Sequence, residues 1–468
     1  MFVIRLLTAI VIGTAPVAAQ ETVELPDEDR WLDPDFAEVF SLGLLDAAAW
    51  QHFGMLQAAA FDAAGNLHLL DVDARTIVVV GPTGGFLRTI GQSGNGPGEF
   101  DFPRHLAILP DGGIVVTDIP RHRTFQIFNS DGSFDRGVRV GNDILAMAGR
   151  VEADRGPGSG LLVASGDLVR YLPMQPEEHE DPPGKRSVLR LSLEGDELAQ
   201  EVVAHGWAPP SSGPAEVRIG GRTVSTGETT AHPRIFDPGF FVGALPGGGV
   251  AFSDSTAYRI MVTDPAGEIE RILRRPFEPE PVTDRIVEEE IERQLDEIER
   301  TAAARFRRAS MVVDGGGNPI QGLIPDDMIR EGAVRAQRMF LEARSAAEEV
   351  PVVRNLRTTW DGEIWVHRRG DEPVSDGPID VLTPDGRYLG SYPAGTPMPD
   401  AFGPDGLVAY IETGDLDQYT VRVSTVPRTA GGHPRGGLDP TAPESRPAAP
   451  AAHPAQSPAG STACPASP

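Results

Sequence analysis

Between Gly91 and Pro103 the chain reads GQSGNGPGEFDFP, with glycines at Gly94, Gly96 and Gly98, the composition of a loop that could cradle a phosphate. Such a loop needs a strand before it and a helix after it, because the helix N-terminus supplies the amides and the dipole that hold the anion. Here Phe102-Pro103 and a strand-turn-strand pattern stand where the helix would begin, and the spacing is G-x-G-x-G with no Gly-Lys-Ser/Thr. The glycines therefore read as a connection between two pieces of sheet. Three carboxylates, Asp71, Asp118 and Asp254, come after apolar strands and precede Arg75, Arg123 and Arg259. Recurrence at one position points to aspartates that satisfy loop amides or pair with the arginine. The stretch from Asp118 to Arg123, which holds Arg121 and His122, is basic within an acidic chain; it reads first as a solvated loop and second as a contact for an acidic ligand. Trp360, Trp365, Tyr388 and Tyr392 are types that stack a sugar, but in strands of this pattern they read first as core. No G-x-S-x-G elbow stands at a strand-to-helix turn, and no H-E-x-x-H is present. The acidic run Glu288 to Glu290 reads as the wet face of a helix.

The wider chain narrows the setting of these residues. Its first residues carry Arg5, an apolar run from Leu6 to Ile12 and the small-residue site Val17-Ala18-Ala19, which together predict a secretory signal over 1–19 cleaved after Ala19. That apolar core is shorter than the roughly 20 residues a spanning helix needs, and no later segment is long and apolar enough. The expectation is a periplasmic or extracellular monomer whose mature chain does not insert into a membrane. One cysteine, Cys464, excludes an internal disulfide and a zinc cluster built on thiolates. With 41 Lys+Arg against 68 Asp+Glu, the net charge of −27 argues against nucleic acid and anionic lipid as partners, favours solubility, and leans weakly toward cationic ligands or divalent metals.

The elements that must position the candidates come as repeats. One unit runs His105–Asp118, Thr124–Gly132 and Val138–Gly141, with turns at Asp111-Gly112 and Asp131-Gly132. Asp-Gly between alternating apolar runs signals a hairpin, since Gly accepts the positive φ of a tight turn. The Gly turns lie 20 residues apart there and 19 apart at Gly65 and Gly84, too close for a helical crossover. Further copies fall at Gly160–Gly206, with an acidic, proline-rich insertion Met174–Gly184, at Phe240–Pro276, at Val352–Tyr392 and at Ala401–Pro427. The last lacks a fourth strand, and Ala37–Gly43 resembles the last strand of a repeat, so it is expected to complete the sixth unit. Between units four and five, 281–350 turns helical: Val287, Ile291, Leu295, Ile298 and Ala302 share one helix face, and a break at Gly315–Gly317 leads to a second helix over Asp326–Glu349. This pair is expected to cover part of one mouth or flank of the ring. From Arg428 the composition is Pro, Ala, Gly and Ser, which predicts a disordered tail over 428–468.

Gly94-x-Gly96-Pro97-Gly98-Glu99-Phe100-x-x-Pro103, together with Leu106-Ala107-Ile108-x-x-Asp111-Gly112-Gly113-Ile114-Val115-Val116-Thr117-Asp118 after it, resembles an NHL-type repeat, whose family forms six-bladed propellers. The runs Trp360–Val366 and Ile379–Gly390, placed after a helical insertion, resemble exported six-bladed β-propellers of environmental bacteria. The resemblance spans Asp35 to Pro427. NHL-like propellers include a peptide-amidating lyase whose zinc histidines come after a proline at the start of successive blades. Pro103-Arg104-His105 approaches that pattern once, shifted by one residue, while Phe240-Phe241-Val242 and Val353-Arg354-Asn355 offer no histidine. One histidine does not make the three-histidine site, and His105 reads as a channel or core residue. Propeller lactonases of the senescence-marker type hold a divalent metal in the channel through Glu, Asn and Asp. Asn355, Asp254 and Asp118 are suitable types for a hard cation, yet the recurrence of the aspartate favours a structural role.

The reading that results is an all-β, six-bladed β-propeller over 20–427, closed by an N-terminal strand and carrying a two-helix insertion between blades four and five. Its expected function is that of a binding or scaffold module, which presents its loop face and channel mouth to a peptide, glycan or protein of the cell envelope. The alternative is a divalent-metal-dependent hydrolase or lactonase with its site in the channel. Arg104, His105, Arg121, His122, Arg354 and Asn355 are the candidate ligand contacts; no cofactor and no metal ligand set is assigned, and the sequence leaves open whether the protein is an enzyme.

Overall fold

The computed structural model describes residues 20–118, 124–139, 150–156, 160–164, 181–196, 198–210, 216–219, 222–225, 233–309, 312–313, 319–320, 326–414 and 418–427. The expected leader (1–19) and tail (428–468), the Gly315–Gly317 break, Arg121 and His122 lie outside these residues, as does most of the Met174–Gly184 insertion.

The described chain is a six-bladed β-propeller. Blade one is Leu56–Phe61, Leu67–Asp71, Thr76–Val80 and Phe86–Ile90; blade two is Pro103–Ile108, Ile114–Asp118, Thr124–Phe128 and Phe134–Arg139. Blade four (Phe241–Ala244, Val250–Ser253, Arg259–Thr263, Ile269–Arg274) and blade five (Val353–Thr358, Ile364–Arg369, Asp376–Leu382, Tyr388–Tyr392) repeat the meander. Blade six takes three strands from the C-terminal side, Ala401–Phe402, Leu407–Thr413 and Tyr419–Thr425. Its outer strand is Ala37–Leu42, antiparallel to the last of these, with Leu42 opposite Val421. Gly112 and Gly132 sit at φ of 89° in blade two, which is why glycine closes both of its hairpins.

Blade three departs from the sequence reading. Its inner strand is Val151–Ala153, and Gly160–Ala164, expected to open the blade, is its second strand; Lys185–Ser192 and Ala199–Trp207 complete it. A three-residue strand leaves little periodic signal.

Burial obeys the period of two. The middle strands are covered on both faces, so each blade contributes alternate residues to two separate cores. Leu67, Leu69, Val78 and Val80 of blade one pack on Val421 and Val423 of blade six. Their neighbours Leu70, Ile77 and Val79 pack on Leu106, Ile114 and Val116 of blade two. The same arrangement fills the remaining interfaces around the ring.

Two helices come after blade four, α1 (Asp284–Ala309) and α2 (Asp326–Glu342); the second ends seven residues before the expected Glu349. Glu280–Pro281 and Glu349–Val350 pair at the base of the insertion. Ile286, Ile291 and Leu295 of α1 form a small core with Leu341, Val350, Ile235 and Phe236.

The N-terminal segment does more than close blade six. Glu21–Glu24 adds a parallel fifth strand to the outer edge of blade four. Leu25 is then buried, and the backbone crosses onto blade five, where Leu32 N–H donates to Ser391 O (2.9 Å) and Ser391 N–H donates to Arg30 O (2.8 Å). Under this strap lies a buried charge network. Arg275 Nη1 reaches Asp380 Oδ2 at 2.9 Å and Asp29 Oδ1 at 3.0 Å, while its Nε and Nη2 donate to Pro26 O and Asp27 O. Arg368 pairs with Asp29 and with Asp380, and Ser391 Oγ donates to Asp380 Oδ1 at 2.6 Å.

Breaking a buried ion pair from one side leaves a charge uncompensated. Asp380→Asn is therefore expected to cost about 3–5 kcal/mol in urea unfolding, whereas an unchanged midpoint would show that Asp29 alone satisfies both arginines. A second test uses acid. Burial raises the Asp62 pKa, but hydrogen bonds from His68 and Asn66 outweigh it and lower the carboxyl to about 2, from 3.8. The stability this gives is present above pH 3.8 and lost as pH falls through about 2. Asp62→Asn should thus lower the melting temperature at pH 7 and cease to matter near pH 2.

Candidate functional site

Propeller topology sorts the candidates by face. Each outer strand hands over to the next inner strand on one face, the connection face; the Asp-Gly turns lie on the other. Inner strands touch in ring order, blade six to one, one to two, and on through three, four and five. Blades two and five are therefore opposite. Arg104 and His105, at the start of the inner strand of blade two, lie across the channel from Arg354 and Asn355, at the start of that of blade five.

All four are half-buried, and the partners of three are set by their own blades. The His105 ring contacts Thr117 Oγ1 (2.8 Å) on the neighbouring strand. Asn355 Oδ1 accepts the Leu356 N–H at 2.8 Å. Arg354 Nη2 donates to Pro373 O (2.6 Å), so its head is held against the loop between the second and third strands of blade five. Burial lowers its pKa, with Glu290 opposing and Arg293 reinforcing the shift. Arg104 stacks over Phe102, 5.7 Å from the ring centroid.

Glu290 corrects one sequence expectation. Instead of facing water it is 4% exposed, one turn beyond buried Ile286 on the inner stripe of α1. Arg293 donates to its carboxylate at 2.7 and 2.8 Å and Gln294 at 2.8 Å. Burial raises the Glu290 pKa, but those hydrogen bonds dominate and hold it below its ordinary value. Glu290 also acts electrostatically on Arg354, which brings α1 to the blade-five side of the connection face.

The recurring aspartates are anchors for that face. Asp71 accepts N–H groups from Gly54 (2.7 Å) and Met55 (3.1 Å), and Asp118 from Asp101 (3.0 Å) and Phe102 (2.6 Å), just ahead of the inner strand in each case. Asp254 accepts Trp207 N–H at 2.6 Å and pairs with Arg259 at 3.2 Å. A buried carboxylate with several backbone donors is fixed and satisfied. The glycine-rich connection is organised the same way: Gly96 N–H and Gln92 Nε2 both donate to the Glu99 carboxylate at 2.8 Å, so the anion this loop holds is its own. Trp365 is core, packed against Tyr392, Phe36 and Phe402.

Four charged residues that sequence reasoning did not single out meet lower in the channel. Arg150 and Glu152, at the inner strand of blade three, form an ion pair. Arg150 Nη1 donates to Leu356 O on blade five at 3.3 Å, and Glu152 Oε2 accepts Ala244 N–H on blade four at 3.0 Å. Arg357 of blade five donates through Nη1 to the backbone oxygen of Asp400, beside the inner strand of blade six, at 3.2 Å. Below them Arg155 donates to Thr359 O (2.8 Å) and stacks over Trp360, 5.3 Å from its ring. The sequence signal was arginine recurring at inner-strand positions 354 and 357, but which of these heads meet Arg150 depends on ring geometry.

Among the described residues no three His, Cys, Asp or Glu side chains gather as a metal ion would require. No helix among them is long and apolar enough to cross a membrane. If Asp118 holds the connection, Asp118→Ala should cost about 1–3 kcal/mol and speed amide exchange at Asp101 and Phe102. Exchange at the turn-face hairpins should be untouched; equal acceleration on both faces would contradict the anchoring role.

Neither a protein-family model nor a curated protein matches the chain. Solved structures do resemble it at low identity. A candidate exported protein from Bacteroides fragilis is 11% identical, with 87% of this chain and 99% of that one covered and a TM-score of 0.43. Virginiamycin B lyase from Staphylococcus aureus is 10% identical over 83% of this chain and 88% of its own, with a TM-score of 0.34. A gluconolactonase from Xanthomonas campestris is 10% identical over 80% and 87%, with a TM-score of 0.33.

Proposed function

We propose that the protein is an exported, monomeric binding module that receives an anionic group of a peptide, glycan or protein of the cell envelope in its channel, entered from the connection face. The observation that carries this reading is the contrast of charge. In a chain of net charge −27, the inner strands bring Arg104, Arg150, Arg354 and Arg357 to the channel from blades two, three and five. With Glu152 paired to Arg150, cations remain in excess there, and a concave site with an excess of one sign of charge focuses field on a ligand of the opposite sign. Export is supported by the leader pattern ending at Ala19.

Binding is favoured over metal-dependent hydrolysis because Asp118 and Asp254, the carboxylates such a metal would need, are already spent on backbone amides. His105, Arg354 and Asn355 then act mainly as walls of the mouth, and among the described residues there Arg104 has the freest head.

The test is a binding titration of the purified full chain against short peptides and sugars that each carry one carboxylate, with neutral counterparts as controls. Acidic ligands should bind preferentially and weaken as salt rises. Arg104→Gln should weaken them about tenfold, near 1.4 kcal/mol. Equal affinity for neutral counterparts, or turnover of a lactone with bound divalent metal, would reject the reading.

A further inference from the structure

Resting on that reading, we propose that Arg150 and Arg357 form the seat for a single carboxylate of an extended peptide, reached from the connection face. Arg354 opens the inner strand of blade five, and Arg357 lies three residues further along it, about 10 Å deeper at the 3.3 Å rise of a strand. A group bound there is inside the ring rather than at its rim.

The chemistry depends on how the four charges are already used. Glu152 is committed to Arg150 and to the Ala244 amide; the Asp400 carboxylate accepts Ile411 N–H at 2.7 Å. Among the described residues, Arg357 has no carboxylate within ion-pairing distance, and its buried Nε meets no hydrogen-bond partner. Its head makes one bond, to a backbone carbonyl. Burial, reinforced by Arg150, lowers the Arg357 pKa to about 9, despite the opposing charges of Glu152 and Asp400. Asp400 is exposed, yet enclosure by protein raises its pKa. Arg357 is therefore a cation in a desolvated place with a donor to spare. A guanidinium kept charged in such a place is relieved by an anion.

The shape of the wall selects the carrier. Every inner strand is the edge of its sheet, so the channel is lined by backbone N–H and C=O groups in extended geometry. Extended polypeptide matches such edges, and sugar rings do not. The outer charge of −27 repels a polyacidic chain, so the ligand is neutral or basic apart from the one carboxylate.

The experiment selects a randomised octapeptide library, C-terminally amidated, on the full chain and on Arg357→Gln. The expected pool from the parent has one enriched Asp or Glu position, lost in the variant, with peptides from it binding the variant at least tenfold more weakly. The variant should melt at or above the parent temperature, because it removes a buried charge that destabilises the fold; Arg150→Gln serves as the second variant if Arg357→Gln does not fold. A pool without an acidic position, or an acidic preference that survives in the variant, overturns this inference and leaves the broader binding reading intact. Oligouronates that bind with loss on Arg357→Gln while peptides do not would overturn the peptide assignment. No binding of any acidic ligand would remove both.

Discussion

A guanidinium shut away from water holds the ring to its own beginning. Arg275 and Asp380 are both fully buried, and desolvating such a pair costs several kcal/mol per ion unless nearly every donor and acceptor is used. They are used: Asp29, Arg368, Ser391 and the carbonyls of Pro26 and Asp27 complete the set. The satisfaction is geometric, so it fixes where the strap crosses blade five. Ala37–Leu42 is thereby delivered to the edge it must complete. Gly390 permits the crossing, since a side chain there would meet Arg30 O and Leu32.

The rigidity of the ring matters because the channel has no element of its own. It is the space left where inner strands approach one another, and side chains stand in it only as accurately as the blades are docked. Six apolar interfaces set that docking, and Asp71, Asp118 and Asp254 at the connection face tie three of the handovers to the blade beneath. The charged residues of blades three, five and six meet through this framework rather than through any local motif.

Legibility in the sequence depended on range. Hairpins were legible because Asp111-Gly112 and Asp131-Gly132 carry their turn chemistry within two residues, and the middle strands alternate on both faces. The repeated Asp71, Asp118 and Asp254 were legible as a structural position for the same reason. Glu21–Glu24 was not, because ETVE carries a single apolar side chain and no turn, and its partner lies some 250 positions away. Glu290 was misread because an acidic run looks solvated until the helix phase places its last member above Ile286. Arg150, Glu152, Arg357 and Asp400 could not be joined on paper, since strands of different blades share no spacing rule.

The strap and the closing strand also order events in time. Asp29 meets Arg368 after 339 residues of intervening chain, and Leu42 waits for Val421. Contacts of such separation form late, because the entropy of closing the loop comes before any reward. During synthesis the first five blades can stack as an open arc, whereas the sixth exists only once both ends are present. A chain truncated before Tyr419 would keep Ala37–Leu42 as a strand in search of an edge. Its nearest substitute is the unfinished arc of another copy, so interrupted chains of this protein should pair with one another end to end.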